Sequence, residues 1–204
     1  MIEFLPVLVL VLTFLSLLII GVPVAWCIAI SSMFTLMIAM PVSAATTTVS
    51  QRIATGLDSF ALLAIPFFIL SGQIMSKGGI ANRLISFAKT LVGFLPGGLA
   101  LINIVSAMLM GAIAGSAMAS ASAMGTILGP EMEKEGYSKE FGAAVNITSS
   151  TTGLVIPPSN TLIVYSLASG GVSIAALFLA GYIPGILTGL LMMIVAMIWS
   201  KKNN

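Results

Sequence analysis

Several residue types on which other functions depend are missing or rare in this chain of 204 residues. It has no histidine, one cysteine, 8 Lys and Arg residues and 6 Asp and Glu residues. The lack of histidine excludes His-based catalysis, and Cys27 alone forms neither an internal disulfide nor a cysteine metal site. The net charge of +2 comes from basic residues that form no stripe, so nothing indicates nucleic-acid binding.

Long hydrophobic runs are abundant instead. Hydrophobic residues make up 58% of the sequence, the mean hydropathy is +1.15, and no charged residue stands at 4–51, 90–130 or 141–200. A soluble domain of this size needs a charged surface, whereas a membrane-spanning helix needs about 20 apolar residues. The composition therefore predicts an all-α polytopic membrane protein. Glu3 and the long apolar run behind it argue against a secretory signal peptide.

The first part of the chain, 1–76, is predicted to form transmembrane scaffold helices. A Gly-Val-Pro break at 21–23 separates the first two apolar runs. The Thr/Ser-rich segment 41–50 is expected to be a loop. The predicted spans cover about 4–20, 24–40 and 58–75.

Residues 77–97 differ from these spans because apolar and polar side chains alternate there at helical spacing. The polar positions include Arg83 and Lys89. Such a pattern predicts an amphipathic arm helix in the membrane interface, and the alternative is a solvated helix that packs on a protein core. The apolar face consists of Ile80, Leu84, Phe87, Leu91 and Phe94.

The segment 98–135 is predicted to be a re-entrant helical hairpin. Its uncharged part, 98–130, has 33 residues, which is short for two full crossings and a turn. Thirteen of the sixteen residues at 111–126 are Gly, Ala, Ser or Thr. Small residues also let helices pack closely, but packing alone explains the serines at 115–122 less well than a binding site does.

A discontinuous transmembrane helix is predicted at 136–170, where TTGLVIPPSN interrupts an uncharged run. Pro157 and Pro158 have no backbone N–H, so the carbonyls at 153–156 should lose their helical partners. In hydrocarbon such carbonyls persist only inside protein or beside water. They suit a small hard cation, and a simple packing kink is the alternative.

Three polar residues follow the proline pair and should open the second half-helix: Ser159, Asn160 and Thr161. The positive end of that half-helix can hold an anion. We expect this break and the hairpin tip to face each other. Two such interruptions are typical of the midplane site of a secondary transporter.

The last segment, 171–204, should be a C-terminal transmembrane helix with Gly181, Gly185 and Gly189 as a packing face. With a periplasmic N-terminus and a cytoplasmic C-terminus, seven of the eight basic residues are cytoplasmic and Arg52 alone is outside. The net number of crossings is odd. A following copy of the unit would therefore be inserted upside down, as in inverted-repeat transporters.

Several stretches of the chain carry a family resemblance. AGSAMASASAMGTILGPEMEKEGYSKEFGAAV at 114–145, followed by TTGLVIPPSN at 151–160, resembles the large (DctM-type) membrane permease subunit of tripartite ATP-independent periplasmic (TRAP) transporters. Residues 59–75 and 177–192 resemble the same subunit. The family subunit contains two inverted repeats, and this chain resembles the N-terminal half only.

The resemblance implies one inverted-repeat half of an elevator-type transporter in the bacterial inner membrane, with Na+ as coupling ion and no other cofactor. The substrates would be organic anions such as C4-dicarboxylates, sialic acid or keto sugar acids. The implied partners are a periplasmic substrate-binding protein, a small TRAP membrane subunit and, if encoded separately, the second half of the large subunit.

Together with the two interruptions, the resemblance places both sites at the hairpin tip and the break. Ser120 stands where many family members have an acidic residue, so no carboxylate role is carried over. The expected sodium ligands are Gly115, Ser116, Thr152, Gly153, Ile156 and Pro158. The expected substrate-binding residues are Ser116, Ala117, Ser120, Ser159 and Asn160.

Two other functions are possible in principle. A non-transporting half could act only as a membrane interaction partner or be a remnant. An intramembrane hydrolase would need a base beside its serine, and the spans contain no His, Asp, Glu or Lys apart from Asp58 at the edge of one span. The sequence therefore does not favour an enzyme.

Overall fold

A computed structural model describes residues 4–203, apart from the side chains of Phe60, Ser76 and Asn203. Over that range the chain forms ten α-helices, one 3₁₀ helix and no strand, which confirms the all-α prediction. In chain order the helices are α1 Phe4–Ile19, α2 Val24–Ala39, α3 Val42–Leu57, α4 Phe60–Lys77, α5 Ile80–Val92, α6 Gly98–Ala114, α7 Ala117–Lys134, α8 Lys139–Ser150, the 3₁₀ helix Thr151–Leu154, α9 Asn160–Ala168 and α10 Ile174–Asn203.

The chain divides into two compact units, and the first one ends at Ser59. In this unit α1 packs against α2, and Gly21 turns the chain between them with a φ of 87°. Glycine adopts this conformation without a steric penalty. None of the described residues of α1 is buried, although the helix is strongly apolar. Such an exposed apolar surface suits contact with lipid or with another apolar protein surface.

The prediction of a loop at 41–50 is wrong, because residues 42–50 belong to α3. The hydroxyls of Thr47 and Thr48 donate to carbonyls one turn earlier, each at 2.8 Å. Serine and threonine can make such bonds within a helix as well as in turns. Pro41 stands just before the first turn, where its missing N–H costs no hydrogen bond.

The second unit begins at Phe60 and is built around α6. Eleven of the 17 residues of α6 are buried, including Leu101 and Ile104. A helix that is apolar on all sides either lies in a protein core or spans a membrane, and α6 lies in the core of this unit. The other elements of this unit that pack against it are α4, α5, α7, α8, α10 and the 3₁₀ helix.

The amphipathic segment forms a helix, α5, but it packs on α6 with a face offset from the predicted one. Ala81 and Ala88 are buried and Ile85 packs against the core, since small alanines let two helices approach closely. Phe87 and Leu91 of the predicted face remain 52% and 48% exposed. One face of α5 therefore packs on the protein core and a second apolar face is exposed, and the location of this helix in the membrane interface stays a prediction.

The hairpin expected at 98–135 is present as α6 and α7. These helices have 17 and 18 residues, so each helix is about 26 Å long. Ser120 of α7 is buried, and its Oγ donates to the carbonyl oxygen of Ala107 at 2.9 Å. Nearer the open end, the Asn103 Nδ2 lies 3.7 Å from the Met132 Sδ. These contacts hold the two arms together along most of their length.

The open end of the hairpin collects the ends of several helices, and we call it the hairpin base. The rings of Phe141 and Trp199 stack there with centroids 3.6 Å apart. Lys139 forms an ion pair with Glu133 at 3.6 Å. The start of α8 and the ends of α7 and α10 therefore lie at the end of the unit opposite the hairpin tip.

The interruption expected at 136–170 is also present, because α8 ends at Ser150 and α9 begins at Asn160. α8 starts after Ser138, whose Oγ accepts from the Phe141 N–H at 3.2 Å. This is the usual role of serine at a helix N-cap.

Within residues 4–203, α10 is the one helix long and apolar enough to cross a bilayer by itself. The helices α1, α2 and α6 are apolar but have 16, 16 and 17 residues. Their length of about 25 Å is less than the hydrocarbon thickness of about 30 Å.

Candidate functional site

The hairpin tip consists of only two residues, Gly115 and Ser116. Gly115 has a φ of 60°, in the left-handed region that favours glycine. Its N–H donates to the carbonyl oxygen of Gly111 at 2.7 Å and closes the last turn of α6. Ser116 then caps α7, because its Oγ accepts from the Ala119 N–H at 3.4 Å.

The break is longer than the tip and begins with the 3₁₀ helix Thr151–Leu154. The N–H groups of Val155 and Ile156 both donate to the carbonyl oxygen of Thr152, at 3.0 and 2.8 Å. Two prolines follow and donate no hydrogen bond. The backbone therefore leaves the helical path for about five residues, 155–159.

Ser159 ends the break with two hydrogen bonds. Its Oγ donates to the carbonyl oxygen of Leu154 at 2.6 Å and accepts from the Leu162 N–H at 3.3 Å. The side chain is completely buried. Ser159 thus caps α9, as the sequence predicted, and also ties the new helix back to the 3₁₀ helix.

Tip and break lie against each other because glycines let the two backbones touch. A Cβ added at Gly111 would lie 2.5 Å from the Cα of Gly153. A Cβ at Gly115 would lie 3.1 Å from the carbonyl oxygen of Pro158, and the Asn160 N–H donates to the Gly115 carbonyl oxygen at 3.4 Å. The prediction that the two interruptions face each other is confirmed.

Fewer carbonyls are free than the sequence predicted for 153–156. The Leu154 carbonyl oxygen accepts a hydrogen bond from the Ser159 hydroxyl, and the sequence did not predict this bond. Within residues 4–203, the carbonyl oxygens of Gly153, Val155 and Ile156 accept no hydrogen bond. Val155 and Ile156 follow the negative end of a half-helix, so we take their oxygens as the first candidates for binding a small cation.

The N-termini of two helices meet at the same place and offer hydrogen-bond donors. Among the described residues, the N–H groups of Ala117 and Thr161 have no acceptor. They open α7 and α9, and the first turn of a helix carries partial positive charge. No charged side chain stands at 90–130 or 141–200. Any electrostatic selectivity contributed by these segments must therefore come from backbone groups.

Two predicted site residues are engaged in hydrogen bonds within the protein. Ser120 lies one turn from the tip, between the hairpin arms, where it bonds Ala107. Thr152 is 1% exposed, and its Oγ1 donates to the Ser149 carbonyl oxygen at 2.6 Å. Both hydroxyl oxygens keep lone pairs, but the structure places Ser120 inside the hairpin rather than on its outer surface.

The structure shows two buried serines with unpaired hydroxyls that are not among the predicted site residues. The hydroxyls of Ser106 on α6 and Ser150 at the end of α8 have no hydrogen-bond partner among the described residues, and neither has the Oδ1 of Asn160. Buried polar atoms are almost always paired with protein or water. Ser150 belongs to a hydroxyl-rich run that the sequence displays, whereas nothing in the sequence singles out Ser106.

The geometry defines a class of protein. Within residues 4–203, ten α-helices, exposed apolar surfaces and a hairpin tip that meets an interrupted helix describe a helical membrane protein with a candidate site of backbone groups. This is the arrangement found in secondary transporters.

A comparison with known families identifies the family. The model described as "Tripartite ATP-independent periplasmic transporter, DctM component" matches residues 11–204. The chain therefore belongs to this family of TRAP transporter large permeases, which are multi-pass membrane proteins and not enzymes. The family resemblance in the sequence is confirmed.

Three similar proteins illustrate the family. "Uncharacterized protein YgiK" of Salmonella typhimurium is 55% identical over 199 residues, which are 98% of this chain and 46% of YgiK. The "C4-dicarboxylate TRAP transporter large permease protein DctM" of Vibrio cholerae is 40% identical over 93% of this chain and 42% of its own length. The "Sialic acid TRAP transporter permease protein SiaT" of Haemophilus influenzae is 37% identical over 94% of this chain and 31% of its own. The chain spans less than half of each relative.

Proposed function

We propose that this chain supplies one inverted-repeat half of a sodium-coupled TRAP permease that imports organic anions. The observation that supports it best is the contact between tip and break, where Asn160 N–H meets the Gly115 carbonyl. This contact joins the segment that has free carbonyls to the helix starts that have free amides. A site that combines both can bind a cation and an anion without any charged side chain.

The cation site is centred on the carbonyl oxygens of Val155 and Ile156. Gly153 and Gly115 allow tip and break to approach each other, and Thr152, Ser116 and Pro158 are the further oxygen ligands of the proposed site. Na+ is the coupling ion because hard oxygen ligands without a carboxylate suit a monovalent cation better than a divalent one.

The anion site lies at the N-termini of α7 and α9. Backbone N–H groups at a helix start bind carboxylates directly, and Ala117 and Thr161 offer such groups. Ser116, Ser159 and the Asn160 side chain surround them. The substrate class is an organic acid, in line with the C4-dicarboxylate and sialic acid named for two relatives. The second inverted repeat would complete the pocket.

The orientation follows from the basic residues. Lys134, Lys139, Lys201 and Lys202 all belong to the hairpin base or its adjoining helix ends. The positive-inside tendency places that end in the cytoplasm of a bacterium and the N-terminus in the periplasm. The hairpin is then re-entrant, and elevator-type movement would carry the site across the inner membrane. A periplasmic binding protein and a small membrane subunit are the expected partners.

Uptake in reconstituted vesicles tests this proposal. The chain is combined with a second half, a small subunit and a binding protein from a relative, and uptake of a labelled organic acid is measured. We expect uptake that requires sodium and is abolished by Ser116→Ala or Pro158→Ala but not by Ser138→Ala, which alters a helix cap at the hairpin base. Equal uptake with choline in place of sodium would contradict sodium coupling.

A second candidate function is a non-transporting half that acts as a membrane interaction partner. The structure favours it in one respect, because the apolar surface of α1 is exposed and suits contact with another apolar protein surface. Copurification with the other subunits, together with no uptake in any combination, would support this candidate over the transporter.

A further inference from the structure

α10 carries three buried glycines at four-residue spacing, and their neighbours differ along the helix. A Cβ at Gly181 would collide with the carbonyl oxygen of Val155. A Cβ at Gly185 would lie 2.5 Å from the Cγ1 of Ile156. The third glycine faces another helix. α10 therefore contacts Val155 and Ile156, whose carbonyl oxygens accept no hydrogen bond among the described residues.

The hairpin touches the break from its own helices. Gly111 meets Gly153, and Gly115 meets the Pro158 carbonyl, again at distances that admit no extra methyl group. The break is thus held between glycines of the hairpin and glycines of α10. Because protein interiors are close-packed, a backbone held in this way has little freedom to shift in either direction.

We propose that Gly181 and Gly185 are positioning residues for the sodium site. They set the place and direction of the Val155 and Ile156 carbonyls without contacting the ion themselves. This inference rests on the proposed function and extends it to α10, a helix that supplies no ligand. Small cations require their oxygens at defined distances, so a supporting residue that moves a carbonyl by a fraction of an ångström weakens binding.

Close helix packing is the competing explanation, since small residues commonly serve that purpose. The third glycine of the row separates the two explanations. The three atoms nearest to a Cβ at Gly189 all belong to the side chain of Met108, including its terminal methyl, and methionine side chains adapt readily. Gly189→Ala brings the same change in helix propensity as Gly181→Ala, but it leaves the break untouched.

The test measures the sodium midpoint, defined as the NaCl concentration that gives half of the maximal rise in Tm. The full chain is purified in lipid nanodiscs, and choline chloride keeps the ionic strength constant. Gly181→Ala should raise the midpoint about tenfold, the effect typical of groups that orient metal ligands. Gly189→Ala should leave it within about twofold, since supporting groups away from the ligands have smaller effects.

A second pair of variants keeps the test decisive if Gly181→Ala does not fold. Gly185→Ala should raise the sodium midpoint. Adding Ile156→Ala should lower it again, because this second change removes the Ile156 Cγ1 with which the new Cβ collides and keeps the Ile156 carbonyl. An unchanged midpoint in both glycine variants, or equal shifts in Gly181→Ala and Gly189→Ala, would overturn the positioning role. A wild-type protein without any sodium response would instead refute the sodium site itself, and the inference with it.

Discussion

The two interruptions of the second unit, the hairpin tip and the break, differ in length and in backbone structure. The hairpin tip reverses the chain in two residues, with one left-handed glycine and one serine cap. The break continues the chain through a 3₁₀ helix and two prolines before Ser159 opens α9. Among the described residues, the tip leaves N–H groups such as that of Ala117 without an acceptor, whereas the break leaves carbonyls, including those of Val155 and Ile156, without a donor.

This difference assigns separate roles to the two regions. In an apolar environment an unpaired carbonyl costs several kcal/mol unless something binds it. The break therefore depends on a cation or water in a way the tip does not. The tip contributes mainly N–H groups and the glycines that bring the break close. Substitutions at each region should separate these roles.

The largest effect is expected from Gly111→Ala, which separates tip from break. The new Cβ would lie 2.5 Å from the Gly153 Cα, and backbone on both sides prevents relief. Overpacking of this kind destabilises by about 3 kcal/mol, which exceeds the gain in helix propensity of about 1 kcal/mol. Thermal unfolding in detergent measures it. Gly129→Ala is the matched control, because its Cβ meets nothing within 4 Å, and equal Tm values for both variants would contradict the contact.

Ser159→Ala should have the next largest effect. It removes a buried hydroxyl that satisfies the Leu154 carbonyl and caps α9 at the same time. Loss of a helix cap costs about 1 kcal/mol and an unpaired buried carbonyl about as much again, so we expect about 2 kcal/mol. The sodium midpoint should rise as well, because the freed Leu154 carbonyl rearranges the break. A variant as stable as wild type would show that Ser159 does not hold the break.

Ser116→Ala at the tip should cost less, about 0.5–1 kcal/mol, because its cap bond is exposed. Ser138→Ala removes a similar cap at the hairpin base and should cost about as much. The two differ in function: Ser116→Ala should impair organic-acid uptake and Ser138→Ala should not. Equal uptake in both variants would show that the tip serine has only a structural role.

Much of the second unit could be predicted from the sequence because its signals are local. The proline pair can only end a helix, and Ser138 and Ser159 are strong N-cap residues, so the break and both helix starts follow from residue chemistry. Glycine pairs at helix ends likewise mark the turns. The roles at the site were suggested by family resemblance, and they remain predictions.

The errors arise where tertiary contacts decide the outcome. The hydroxyl-rich segment 41–50 is helical because its threonines bond the preceding turn. The packing face of α5 is set by Ala81 and Ala88, which carry no hydrophobic pattern of their own. The hydrogen bond from Ser159 pairs the Leu154 carbonyl, one of the four carbonyls at 153–156 that were predicted to be free. No sequence pattern identifies α10 as the neighbour of the break.

The most direct test of the central claim is the anomalous scattering of thallium(I), a heavy substitute for alkali cations, in crystals of this protein. We expect an anomalous peak at ligand distance from the carbonyl oxygens of Val155 and Ile156, and we expect excess sodium to remove this peak. A map without a peak at the break, or with thallium bound only elsewhere, would contradict it.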